Sequence, residues 1–328
     1  MAVRDSKLFY VDRSDRGRLR LTGKDRQSFL QGMVSNDVGR LMPGQGCYAF
    51  LLDATGHVLA DVRVLCLENA LLLDVEPGMA SFVAETLDRY LIMEKVRITD
   101  VSEELRQYTL VGREAPDVLA RLGVNDAASW SEGGNTTLKI GDETAIVAAV
   151  RLASVPAFDL YLPASVNISD TLESEGAVAL MSEALESLRI EAGVPRFGVD
   201  MDSRVLAPET EQRLRGVSYR KGCYIGQEIV ARIDARGHTN RSFTGFYLPP
   251  GEVLPVAETP VTVDGRDVGR ITSATLSPTL GVPIALGYLR HEYLLPGTRV
   301  TVAGQWATVA ALPFVAAEGT APRATVAA

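Results

Sequence analysis

Hydrophobic and polar positions along 17–101 alternate in short runs separated by turn residues, and the spacing predicts one α+β unit. Arg18-Leu19-Arg20-Leu21, within 17–22, alternates basic and apolar residues as a half-buried strand does. Thr22 or Gly23 is placed to cap a helix whose apolar face is Phe29, Leu30, Met33 and Val34. Gly44 and Gly46 mark a turn. Residues 47–52 then read as an apolar strand, Asp53-Ala54-Thr55-Gly56 as a hairpin turn, and 58–65 as the partner strand. Alternation in that partner puts Leu59, Asp61, Arg63 and Leu65 on one face, so Asp61 shares a face with apolar neighbours. Residues 71–75 give a third strand, Pro77 begins a helix running to about Tyr90, and 95–101 closes the unit.

The order then starts again. Residues 107–111 read as a strand and 115–122 as a helix with Pro116 in its first turn. A second hairpin joins 136–140 to 144–150 through Gly141-Asp142. Residues 158–162 are a strand, and Ser169 or Asp170 caps a helix reaching Leu188. This order predicts two α+β subdomains built alike; the side chains of the two halves match only weakly. Residues 189–236, broken at Val194-Pro195 and Ala207-Pro208, read as a long connection lying across other parts. From Phe243 short strands recur at 243–248, 261–263, 267–273, 284–289, 299–302 and 306–311, the pattern of a small antiparallel barrel. Gly265 and Gly269 are turn glycines there, without the strand–loop–helix context of a phosphate cradle. The expected domains are 1–102, 103–238 and 239–328, with a tail after Phe314 that frays.

Composition narrows the function. The 328 residues are long enough for two or three cores, with 46% hydrophobic and 23% charged residues. A net charge of −8 argues against a general grip on nucleic acid or an anionic membrane, both of which need basic surface. No apolar run approaches the ~18 residues of a bilayer span, and no basic start precedes an apolar segment, so no signal peptide is expected. Cys47, Cys66 and Cys223 are odd in number and far apart, which suits a reducing cytoplasm. His57, His238 and His291 are scattered and no Cys-x-x-Cys pair exists, so no protein-built metal site is expected. Asp200, Asp202, Glu209 and Glu211 fit no calcium loop and read as a solvated acidic segment.

The densest chemistry lies in Lys221-Gly222-Cys223-Tyr224-Ile225-Gly226-Gln227-Glu228. Gly222 and Gly226 suggest a tight turn, with Tyr224 and Gln227 shaping it and Glu228 opening the apolar run that follows. Arg220 and Lys221 flank the thiol, and adjacent cations favour a thiolate. The other reading is a buried structural cysteine.

This run resembles the signature of the YgfZ family of folate-binding proteins, relatives of the glycine-cleavage T protein, the tetrahydrofolate-dependent aminomethyltransferase. Phe29-Leu30-Gln31-Gly32 with Asn36-Asp37-Val38, the segment 188–200, and Thr272-Ser273 through Ser277-Pro278 to 284–288 are similar to family segments in the same order. The resemblance implies a T-protein-like fold of two α+β subdomains and a barrel around a central pocket. It implies tetrahydrofolate, or a one-carbon derivative, as cofactor. It also implies a cytoplasmic role in iron–sulfur cluster assembly or repair and dependent tRNA modification, with iron–sulfur proteins or assembly factors as partners. The alternative is a true aminomethyltransferase, which moves a methylene unit from a lipoyl-carried aminomethyl group to tetrahydrofolate and releases ammonia. A third is a scaffold that keeps the fold without folate.

The resemblance also assigns residues. Asp61 falls where T proteins keep an aspartate near the reacting folate nitrogens; the bland reading is a carboxylate satisfied within the sheet. Glu191 falls where the family keeps a glutamate on the pterin edge, a bidentate acceptor; the bland reading is a solvated helix end. Arg220 or Lys221 takes the place of a folate-contacting arginine, and Cys223 does thiol or redox chemistry. Arg213, Arg215, Arg220, Lys221, Arg232 and Arg236 either rim a pocket for a folate's glutamate tail or are solvated surface. Asp61, Glu191 and the Cys223 turn are expected to converge on one pterin-sized hollow.

Overall fold

The computed structural model describes residues 8–251 and 253–316, so the part of the tail from 317 onward lies outside them. The first half is β1 (Phe9–Asp12), β2 (Gly17–Thr22), α1 (Arg26–Met33), β3 (Gly46–Leu52), β4 (Val58–Cys66), β5 (Leu71–Val75), α2 (Ala80–Asp88) and β6 (Arg97–Asp100). The second is β7 (Leu105–Val111), α3 (Ala115–Arg121), β8 (Asn135–Ile140), β9 (Glu143–Ala149), β10 (Ala157–Pro163), α4 (Ser169–Ser174), β11 (Val178–Ala179) and α5 (Ser182–Glu191). Two short helices follow, α6 (Arg213–Gly216) and α7 (Gln227–Arg236). Strands β12 (Arg241–Tyr247), β13 (Pro260–Val263), β14 (Arg266–Leu276), β15 (Pro283–Arg290), β16 (Arg299–Val302) and β17 (Gln305–Ala310) close into an antiparallel barrel in the order β12-β15-β14-β13-β16-β17.

The fold is α+β. One sheet runs β3-β4-β5-β2-β6 and the other β11-β1-β7-β10-β9-β8. Strand β1, which the alternation did not flag, sits in the second sheet, antiparallel to β7 and parallel to β11. It is four residues long with its first three buried, too short for a period to show. The single helix expected from 169 to 188 is two helices. Gly176 at φ 88 ends α4, and Val178–Ala179 pairs with β1 before α5 begins. Helix α2 begins at Ala80 rather than Pro77 because Gly78 at φ 77 cannot join a right-handed helix.

Each sheet buries one face under its own helices. Leu19, Leu21, Ala60, Val62, Val64, Leu71 and Leu73 pack with Phe29, Leu30, Val83 and Leu87. Leu110, Leu160, Val147 and Phe158 pack with Val118, Leu119 and Leu172. The opposite faces meet each other, through Leu65, Leu72, Ala148 and Tyr161 and then through charges. Asp74 of β5 accepts hydrogen bonds from Tyr161 at 2.6 Å and Gln107 at 2.9 Å, and Arg63 of β4 donates to Asp159 of β10 at 3.1 Å. The alternation read for β4 therefore holds from Ala60 to Cys66. Leu59 instead packs with the helix-side cluster, next to the register shift at Leu51/Leu52.

Candidate functional site

Where the sheets part, a cleft opens between them and α5, with about 750 Å³ of empty space including its mouth. Its walls carry Arg13 and Arg16 from the β1–β2 link, Tyr48, Asp61 and Arg63 from the β3–β4 hairpin, and Glu76 after β5. Glu186 and Arg189 of α5, Arg196, and Arg215 of α6 complete the charged lining. The hairpin register puts Phe50 opposite Asp61 and Tyr48 opposite Arg63, so the tyrosine and both charged residues face one way.

Asp61 is half-buried and accepts one hydrogen bond, from the Tyr48 hydroxyl at 3.0 Å. Among the described residues it has no ion pair. Burial, then the charge of Glu76, pushes its carboxyl up to about 6, while Arg16, Arg63 and the Tyr48 bond pull the other way. Tyr48 is held in turn. The Arg215 guanidinium lies 3.9 Å over its ring, and Glu132 takes Arg215 through Nε at 2.8 Å and through Nη2.

The other arginines of the cleft are paired. Arg16 bridges Asp74 and Glu76, and Arg63 pairs with Asp159. Arg189 holds Asp200 at 2.6 Å and Glu186 at 2.5 Å, and Arg196 reaches Glu186 at 3.1 Å. Burial alone would raise the Asp74 carboxyl, yet Arg16 and Arg63 outweigh it and hold the group well below the usual carboxylate range. Arg13 differs: its guanidinium makes no hydrogen bond or ion pair among the described residues.

The expected convergence does not occur. Only Asp61 of the three centres lines this cleft. Glu191 is 2% exposed and turned to the barrel, where it accepts from the hydroxyl of Ser277 and from the amide and hydroxyl of Thr279, both at 2.8 Å. Its carbonyl takes the amides of Phe314 and Val315. It is not a solvated helix end: both oxygens of its carboxylate already accept hydrogen bonds from the Ser277–Thr279 segment. Glu191→Gln should lose about 1.5–3 kcal/mol in urea unfolding with folate affinity unchanged. Full stability with selectively lost folate affinity would return Glu191 to the pterin.

Lys221 is also spent. Its ammonium donates to the carbonyls of Gln31 at 2.5 Å, Val34 at 2.6 Å and Asn36 at 2.9 Å, at the end of α1. It is therefore committed to the end of α1 and does not line the cleft, which leaves Arg220 as the other cation near Cys223 in sequence. Arg220, Gly222 and Cys223 are exposed, so the cysteine is not a buried one. Tyr224 packs with Phe50 and Leu52, and its amide donates to the Gln227 side chain at 3.2 Å. Gly226 at φ 81 stands at the start of α7, where a Cβ would lie 2.5 Å from the Asp53 carbonyl. Glu228 is exposed near Arg232.

The basic cluster is not a rim. Arg215 alone of the six lines the cleft; Arg213 pairs with Asp234. Nor is the acidic segment all solvated. Asp200 is buried under Arg189, Thr272 and Ser273, and Glu209 under Arg241. Among the described residues no group of three His, Cys, Asp or Glu is placed to hold a metal, and no helix is long and apolar enough to cross a membrane. Tyr48, Glu76 and Arg13 were not singled out as cleft residues from the sequence, whereas Arg215 was, as one of a basic rim. Tyr48 was within reach, since the turn at 53–56 fixes the hairpin register that sets it diagonal to Asp61.

Sequence comparison agrees with the architecture. The GCVT N-terminal domain matches residues 1–213, and the glycine cleavage T-protein C-terminal barrel domain matches 241–315. The chain belongs to the glycine cleavage T-protein family. A chloroplastic protein of Arabidopsis thaliana, named as a candidate transferase, is 28% identical over 309 residues, 91% of this chain and 69% of that one. An aminomethyltransferase of Chlorobium luteolum is 29% identical over 321 residues, covering 93% of this chain and 86% of that one. The crystal structure of the glycine cleavage system aminomethyltransferase T of Bartonella henselae shares the fold, with a TM-score of 0.84 at 21% identity over 95% of this chain and 87% of that one.

Proposed function

We propose that this chain binds a reduced folate in the cleft at Asp61 and transfers a one-carbon unit to it, as an aminomethyltransferase does. One observation carries the reading: an aspartate with its carboxyl near 6, and with no ion pair among the described residues, faces the cleft between the two sheets. The relatives named aminomethyltransferase support the same class. The cleft also fits the cofactor's polarity, with an acid for a nitrogen-rich head and a guanidinium for a carboxylate tail, neither of them in an ion pair among the described residues.

Tetrahydrofolate supplies nitrogens that take up the one-carbon unit. Asp61 would hold the hydrogen-bonding edge beside those nitrogens. Tyr48 occupies Oδ2, which leaves Oδ1 to exchange a proton with the ligand. A carboxyl near 6 is mostly ionised at neutral pH and close enough to it to give or take a proton. The surrounding ion pairs keep Arg16 and Arg63 in place, so the field at Asp61 is set before ligand arrives. With tetrahydrofolate and an aminomethylated lipoyl carrier protein, ammonia release in step with folate consumption is the expected result. Folate binding without ammonia release would move the assignment to the second reading.

That reading is the YgfZ-type role in iron–sulfur cluster assembly or repair. It is favoured by the exposed Cys223 on a turn anchored by Lys221 on one side and Tyr224 on the other. It brings with it iron–sulfur proteins as partners and a cytoplasmic setting. Cys223→Ser should then abolish rescue of iron–sulfur enzyme activity in cells lacking the protein; full rescue makes the thiol dispensable.

A further inference from the structure

We propose that Arg13 is a carboxylate subsite of the cleft, taking an acid group carried on an apolar body. The inference deepens the folate reading, and rests on it for the ligand's identity though not for the subsite itself.

Each of the other five arginines lining the cleft has a carboxylate within ion-pair distance. Arg13 has none among the described residues, although it is half-buried. Its chain neighbours Asp12 and Asp15 are exposed, and Asp12 accepts instead from the Ser14 amide at 2.9 Å. A cation withdrawn from water without a partner is costly. Burial first, and then Arg16 and Arg63, push the Arg13 guanidinium down to about 10. The fold holds a cation against that cost at a place open to a ligand.

The surroundings select the ligand. Val11 lies two residues before Arg13, so the extended chain sends both to the same side. Val11 packs with Leu152 and Leu185, and all three line the cleft, which makes an apolar wall beside the guanidinium. Glu76 and Glu186 are already matched by Arg16, Arg189 and Arg196, so the cavity offers a multiply charged phosphate a single unmatched guanidinium together with the unmatched acid of Asp61. A carboxylate carries one charge and matches the guanidinium fork with two parallel hydrogen bonds. Asp61 is the complementary feature, a cleft acid without an arginine partner. The occupant is thus bipolar, with a hydrogen-bond-donating head at Asp61 and a carboxylate at Arg13.

The probe is p-aminobenzoyl-L-glutamate, an aromatic body with a carboxylate end, measured by equilibrium dialysis against benzamide, which has no carboxylate. Arg13→Gln should weaken the probe by about tenfold or more and leave benzamide unchanged. Arg13→Lys, which keeps the charge and loses the fork, should fall between. Arg13→Gln should also melt at or above the parent temperature, because it removes a half-buried cation that has no ion pair among the described residues. Equal probe affinity in the parent and Arg13→Gln, or no probe binding to the parent, overturns the subsite. Displacement of the probe by tetrahydrofolate supports one shared site. A probe held through Arg13 that tetrahydrofolate does not displace leaves the subsite standing and removes folate from it.

Discussion

Asp61→Asn should lower kcat for folate-dependent one-carbon transfer by about 10²–10⁴, the range for losing a positioned acid or base. The substitution keeps the shape and the Tyr48 contact but removes the exchangeable proton. Stability should move the other way, with a pH dependence that follows from the raised carboxyl. The native group titrates near 6, against an ordinary 3.8. Between those values the native state holds a proton that the unfolded chain has lost. Stability from this group is therefore complete below pH 4 and is lost as pH rises through 6. At pH 8 the variant should be more stable than the parent by about 1–2 kcal/mol, allowing for partial exposure, and at pH 3.5 the two should match. The parent's kcat/KM should show an acid limb near pH 6. Turnover by the variant within a factor of three of the parent at pH 7.5 would remove Asp61 from the chemistry.

Lys221→Met has the largest expected cost to the fold. The ammonium is a shared donor for three carbonyls at the end of α1, where cations also complement the helix dipole. Methionine fills the stem and supplies no donor, so three carbonyls lose their partner together. The expected loss is about 3–5 kcal/mol, seen as a melting temperature lower by roughly 5–10 °C. Arginine should not restore it, because three acceptors converge on a point and a planar fork cannot meet them. Urea unfolding of both variants measures this, and an unchanged midpoint for Lys221→Met would mean that water satisfies those carbonyls.

Several parts of the fold were legible because they are local. The barrel strands, the Asp53–Gly56 turn and the β3–β4 hairpin follow from a two-residue period and turn chemistry. Asp61 was legible for the same reason, as a carboxylate breaking an apolar alternation. Glu191 was placed at the right helix end, but its direction depends on the Ser277–Thr279 segment, 86 positions away. Lys221 adjoins the thiol in sequence and points at α1, a choice that backbone neighbours do not make.

The chain by itself determined most of the segments that form strands and helices, since short-range sterics and periodicity decide them; β1, β11 and the break between α4 and α5 needed the pairing of distant strands. The tertiary structure decided which charges cancel. Arg63 finds Asp159 96 positions on, Arg215 finds Glu132 83 positions back, and Arg13 finds no partner among the described residues. Pairing is a matter of distance in space between elements far apart along the chain, and no local pattern encodes it.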